Sequence, residues 1–229
     1  MGKAFVIAVD GPGGAGKGEL TKRLAKELGY DLLDSGAIYR VLAYAVRKAG
    51  LAMFDEDSIV QEAQVLSLSF EIQDDGVHVF LGDEDVSKAI RTEECGLNAS
   101  KVAPHPLVRQ ALLQRQRDFA KEPGLVADGR DMGTIVFPDA QVKIFLDASP
   151  EVRAKRRVLQ LEQAGKEADF DLILQEITER DERDRNRPVA PLKPAEDALI
   201  LDSTNMSIEE VFNTAMDYSP NSSNLLSII

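Results

Sequence analysis

The chain has 229 residues, 44% hydrophobic and 29% charged, with 27 basic against 39 acidic groups and a formal net charge of −12. That length buries one sizeable core with room for a small insertion, and the charge argues against a nucleic-acid binder, which needs a basic face for phosphates. The single cysteine, Cys95, excludes an internal disulfide; with only His78 and His105 beside it, no cage of nitrogen and sulfur metal ligands can be assembled. A bound cation is therefore expected to be a hard one, held by oxygens.

The first apolar run, Ala4 to Val9, stops at Asp10. It is too short for a signal-peptide core or a membrane span, so a soluble cytoplasmic protein without a membrane partner is expected. The run reads as a strand buried on both faces, and Leu20 to Leu28 has helical spacing. Between them, residues 11–18 read GPGGAGKG. Glycine at that density costs stability, but in a strand-to-helix turn it lets backbone N–H groups close around a phosphate at a helix N-terminus. Gly11, Gly16 and Lys17 fit G-x-x-x-x-G-K, with Gly18 where Ser or Thr is usual. The alternative is a plain glycine-rich turn with a surface lysine; the flanking strand and helix favour phosphate.

Four further short apolar runs end near acids: Leu32-Leu33 before Asp34, Leu125–Ala127 before Asp128, Val142–Leu146 before Asp147, and Ala198–Leu201 before Asp202. Helical patterns separate most of them. One follows Gly36, with Ser35 as its expected cap and Arg40 a turn inside. Another covers Leu107 to Phe119, a third starts at Ser149-Pro150-Glu151 with Pro at the first helical position, and the last starts at Ser207 with Glu210 at capping-box spacing. Alternating strands and helices imply a doubly wound parallel sheet, with ligands at the carboxyl ends of its strands. One stretch breaks the alternation: Leu68–Gln73 and Val77–Leu81 around Asp74-Asp75-Gly76 read as a β-hairpin within a small antiparallel insertion at 60–100. The tail SPNSSNLLSII has no periodicity and is expected to be frayed or loosely docked.

Two more stretches carry polar groups at the strand ends. DGRDMG at 128–133 follows a buried-strand pattern, and Asp128 stands where a P-loop protein often has an acid near magnesium; a turn with an Arg–Asp ion pair is the alternative. In ERDERDRNRP at 179–188, Arg180, Asp184 and Arg187 share one helical stripe and Asp181 and Arg185 another, with Pro188 ending the helix at about Arg187. The first stripe offers two guanidinium forks to a phosphate; the alternative is a solvated ion-pair helix. Arg153, Lys155, Arg156 and Arg157 either close over a triphosphate as a lid or are solvated.

With these pieces in order, the sequence resembles the bacterial cytidylate kinases through GPGGAGKG, LLDSGAIYR, the insertion, IRTEECGLNASKVA, GLVADGRDMGTIVFPDA, VKIFLDAS and RDERDRNRPVAPL, nearly the whole chain up to about Tyr218. The resemblance implies an α/β P-loop kinase core with a five-stranded parallel sheet (1–59 and 101–229, a short helical lid at about 150–178 within it) and a CMP-binding insertion at 60–100. It implies ATP and CMP or dCMP as substrates, with Mg2+ as cofactor; a monomer is the default expectation. Gly11, Pro12, Gly13, Gly14, Ala15, Gly16, Lys17, Gly18, Glu19 and Arg157 would bind ATP, and Ser35, Arg40, Arg130 and Arg187 the CMP phosphate. Ser100, Arg109 and Asp131 would read cytosine, and Arg180 and Asp184 reach the ribose; Lys17, Arg130 and Arg187 would be catalytic, with Asp128 touching the metal through water. One departure stands out: the family usually has Thr where this chain has Glu19. A carboxylate there repels the triphosphate, contacts magnesium through water, or turns away. The rival readings are another small P-loop kinase, acting on a sugar acid or a different nucleotide, and a nucleotide-binding switch; a GTP switch needs an N-K-x-D motif, which does not occur in the chain.

Overall fold

A computed structural model describes residues 4–73 and 76–218. In chain order it contains β1 (Val6–Asp10), α1 (Lys17–Leu28), β2 (Asp31–Asp34), α2 (Ser35–Lys48), α3 (Glu56–Val65), β3 (Leu68–Gln73), β4 (Gly76–Leu81), β5 (Glu84–Asp85), α4 (Glu93–Val102) and α5 (Pro106–Arg117). These are followed by β6 (Leu125–Gly129), β7 (Val142–Asp147), α6 (Pro150–Gln163), α7 (Phe170–Arg185), β8 (Leu199–Asp202) and α8 (Ile208–Tyr218). Five parallel strands form one sheet in the order β2-β6-β1-β7-β8, so the glycine loop leaves the central strand. Consecutive β1 side chains serve opposite faces: Val6 and Ala8 pack with α2, α3 and α5, and Ile7 and Val9 with α1 and α8. No helix among the described residues is long and apolar enough to cross a membrane.

The caps explain where the helices start. Ser149 accepts from the Val152 amide with Pro150 at the first helical position, and Ser207 and Glu210 exchange bonds as a capping box. At α2 the expected cap shifts by one residue. β2 runs on to Asp34, whose carboxylate accepts from the Ala37 amide at 2.9 Å, so Ser35 is already helical and its hydroxyl is free to donate elsewhere. The buried stripe Ile38, Val41, Leu42, Ala45 and Val46 then seats α2 in the core.

β3, β4 and β5 form a separate antiparallel sheet with Phe70 opposite Val79. The hairpin is as the alternation implies, though Asp74 and Asp75 of its expected turn lie outside the described residues, as does the 219–229 tail. The stretch around it is not all strand. Residues 56–65 and 93–102 are helices, capped by Asp55 and Thr92. The first buries only Ile59 with Ala63, too few residues to stand out as a helical period, whereas the second buries Cys95, Ala99 and Val102 at i, i+4 and i+7, a stripe of mostly small residues that was there to be read. Val79, Val86 and Ile90 pack into the same core as α2.

Candidate functional site

The loop between β1 and α1 is shaped by Gly11, Gly14 and Gly16, whose positive φ angles strain any other residue. Gly11 has φ of +147°, and a Cβ there would lie 1.9 Å from the Leu146 carbonyl oxygen. Gly16, at φ +102°, turns the chain into α1. Lys17 is buried, donates to the Pro12 carbonyl at 3.0 Å and stands 3.7 Å from Asp128. Burial brings its pKa down to about 8, and burial likewise pushes Asp128 up to about 6. The rest of the loop is held from behind. Arg153 donates to the Gly13 carbonyl, and Ser203 and Arg156 donate to that of Ala15.

Arg153 is neither lid nor solvated. It is 1% exposed and forms a bidentate ion pair with Asp181, joining α6 to α7. Arg157 is exposed, away from the buried bonds that hold the loop.

Above Gly13 two guanidiniums converge: a Cβ at Gly13 would lie 3.3 Å from Nη2 of Arg130 and 3.5 Å from Nη1 of Arg180. Arg180 is hydrogen-bonded to no group among the described residues. The residue is exposed at the surface, yet desolvation and the neighbouring Arg130 lower its pKa to about 10. Arg130 donates to one carboxylate oxygen of Asp184 at 3.0 Å, and Arg187 pairs with the other. Burial opposes the Asp184 charge, but Arg130 and Arg187 outweigh it and hold the carboxyl below its usual range. The helix ends at Arg185, two residues before the expected end, so Arg187 reaches Asp184 from beyond α7 and not along a helical stripe. Four cations, Lys17, Arg130, Arg180 and Arg187, gather here on an acidic protein, with Asp128 and Asp184 in direct ion pairs and Asp10 and Asp131 near enough for their charges to act on them.

A second cluster of charged groups lies beside it. Asp131 pairs with Arg109 of α5, whose guanidinium sits 5.7 Å from the Tyr39 ring centre. Burial raises the Asp131 carboxyl even against Arg109. The turn that presents Asp131 is one wide π-helical turn at Met132–Val136, a form frequent at functional sites. Asp10, at the end of β1, fixes it by accepting from the Met132 and Gly133 amides at 2.7 and 2.8 Å, while burial pushes Asp10 up to about 6.

The remaining expected residues differ in burial and in partners. Ser35 is buried and donates to Gln116. Arg40 donates to the Ile90 carbonyl and packs on Gly96 of α4. Ser100 is exposed and bonds back to the Gly96 carbonyl, with no bond to Arg109 or Asp131. Glu19 is exposed and ion-paired with Lys22 and Arg23, the latter also meeting Glu209 of α8. Burial is the largest single influence and works against its charge, but Arg23 and Lys22 together outweigh it and hold the carboxyl low, with the side chain turned along its own helix.

A family model described as "Cytidylate kinase" matches residues 7–221. The chain belongs to the cytidylate kinase family. It is 61% identical over 213 residues to a protein named cytidylate kinase from Vibrio vulnificus (strain CMCP6), covering 93% of this chain and 94% of that one. It is 59% identical over 218 residues to one of the same name from Pasteurella multocida (strain Pm70), covering 95% and 96%. In fold it is similar to a crystal structure of an uncharacterized protein from Eubacterium ventriosum ATCC 27560, with TM-score 0.51, 14% identity and 94% and 98% coverage. Several side chains here carry no role from the motifs alone: Asp10 and Gln116, which position Asp131 and Ser35, and Tyr39; Asp181 stands out in the sequence as part of a stripe with Arg185, but not as the anchor of Arg153. Of these, Asp10 had a visible signal, an acid at the end of the central strand.

Proposed function

We propose that this chain transfers the γ-phosphoryl group of ATP to CMP or dCMP, giving ADP and CDP or dCDP. The observation that carries it is the meeting of Arg130 and Arg180 over Gly13, with the Arg109–Asp131 pair beside them. A phosphoryl group held between two nucleotides needs cations on the glycine loop and a base reader one nucleoside away. Gly11 to Glu19 form the ATP side with Lys17; Ser35, Arg40, Arg130 and Arg187 are assigned to the CMP phosphate, Ser100, Arg109 and Asp131 to cytosine, and Arg180 and Asp184 to the ribose. Arg157, exposed on α6, is kept as an ATP contact. The same chain supplies every group, so we take it to act as a monomer, on small nucleotides in the cytoplasm.

The acceptor is a phosphate oxygen that is already anionic, so no general base is required. Catalysis is alignment plus cancellation of charge on the transferring group. Lys17, mostly protonated at neutral pH, gives up Pro12 for a phosphate oxygen. Arg130 and Arg187, clamped by Asp184, supply the other forks. The donors at the strand ends suit a hard cation: Asp128 approaches Gly18 in the first turn of α1, a Cβ there lying 3.8 Å from its Oδ2. Among the described residues no cluster of three or more potential ligands forms a cage, so magnesium would enter with ATP, Asp128 holding its water shell. When bound, it neutralises charge on the phosphate oxygens.

A coupled assay of ADP formation with ATP and CMP, dCMP, UMP or AMP tests the proposal. Turnover with CMP and dCMP well above that with UMP and AMP is expected. Equal turnover of all four, or none with CMP, contradicts it.

A further inference from the structure

Among the described residues only one buried side-chain polar atom lacks a hydrogen-bond partner, the hydroxyl of Tyr39. Folded proteins avoid this, because a buried donor stripped of water and given nothing in return destabilises the native state. The exception is informative where the atom points. Tyr39 is 8% exposed and lies on α2 four residues after Ser35, on the same helix face, and directly before Arg40. The Arg109 guanidinium covers its ring, and Asp131 and Arg187 lie close enough for their charges to act on the hydroxyl. The hydroxyl is therefore within the influence of groups assigned to the base, Arg109 and Asp131, and of one assigned to the phosphate, Arg187. Burial pushes its pKa up to about 12, so it stays a neutral donor at any working pH.

We propose that the Tyr39 hydroxyl is a ligand-binding group that completes its hydrogen bond only on an oxygen of bound CMP. This rests on the reading of the cleft as a CMP site. In the empty protein Arg109 is paired with Asp131 and lies over the Tyr39 ring. Cytosine bound to Asp131 competes for that carboxylate, and the guanidinium shifts as the pair reopens. The phenol then meets an acceptor where it had none. Its desolvation is already complete before binding, so the bond adds to affinity more than an exposed donor would.

Tyr39→Phe tests this with two readouts of opposite sign. In the ligand-free protein, removing an unpartnered hydroxyl is expected to raise Tm by about 2–4 °C. With CMP, calorimetric Kd and KM are expected to rise about tenfold, equivalent to about 1.4 kcal/mol, while kcat and the KM for MgATP stay within about threefold. CMP affinity within about twofold of wild type overturns the proposal whichever way Tm moves, since the hydroxyl then does not touch CMP. A fall in ligand-free Tm, or failure of the variant to fold, overturns it too, because the hydroxyl then has a structural partner. If wild type itself binds no CMP, the proposed function fails; the Tm of Tyr39→Phe still reports separately whether the hydroxyl is unpartnered.

Discussion

Around the glycine loop the groups that face a triphosphate are fixed by backbone, whereas across the cleft charged side chains hold one another. Lys17 is parked on the Pro12 carbonyl and the loop carbonyls are tied from behind by Arg153, Arg156 and Ser203. Opposite it, Arg109 is paired with Asp131, and Arg130 and Arg187 share Asp184. The first half is a preformed cradle that every P-loop protein needs and that says little about the acceptor. The second is neutralised in part by its own acids, so a ligand must exchange with them, and a ligand that cannot offer the right donors and acceptors leaves buried charges unpaired. On the proposed function, discrimination is expected of the side-chain half.

That contrast can be broken most sharply at Lys17. Lys17→Ala is expected to lower kcat/KM by about 100- to 1,000-fold, the scale of losing one preorganised charge-stabilising group, with circular dichroism and CMP binding unchanged. Activity within about tenfold would remove Lys17 from the chemistry and make the loop a mere turn. A smaller effect is expected from pH. In the free protein Lys17 loses its proton near pH 8, because burial disfavours the charged form, so it is charged below that value and neutral above it. A pH profile of kcat/KM for MgATP should fall as pH rises through about 8, whereas CMP affinity, resting on arginines, should not follow it. A profile flat to pH 10 would show that Lys17 keeps its charge. The smallest effect belongs to Glu19. Its carboxylate is already paired with Lys22 and Arg23, so Glu19→Thr is expected to change MgATP affinity by less than about threefold. Tighter binding by tenfold in a calorimetric titration would mean that the carboxylate repels the triphosphate despite those partners.

The cradle was legible in the sequence because its signal is local: an apolar run, glycines at fixed spacing, a lysine and a helix. The caps at Ser149 and Ser207 were legible for the same reason. At α2 two adjacent cap-competent residues, Asp34 and Ser35, competed, and the strand length decided for Asp34. The side-chain half depends on distant partners. Asp10 meeting the turn at 132–133, Arg153 meeting Asp181 and Gln116 meeting Ser35 join positions 122, 28 and 81 residues apart. No period in the sequence encodes such pairs. The π turn was hidden too, since it is held by Asp10 from outside its own residues, and the strand order follows from packing alone.

The selectivity of Asp131→Ala tests the division of labour most directly. Cytosine offers an amino donor at position 4 and uracil a carbonyl acceptor there; an ionised Asp131 accepts from the first and repels the second. Arg109 still opposes the N3 hydrogen of uracil, so the variant should not become a good UMP kinase. One charge-assisted bond is worth about 1.5–3 kcal/mol, so kcat/KM for CMP is expected to fall at least about tenfold more than that for UMP. If both substrates lose the same factor, Asp131 does not read the base, and discrimination lies elsewhere in the cleft.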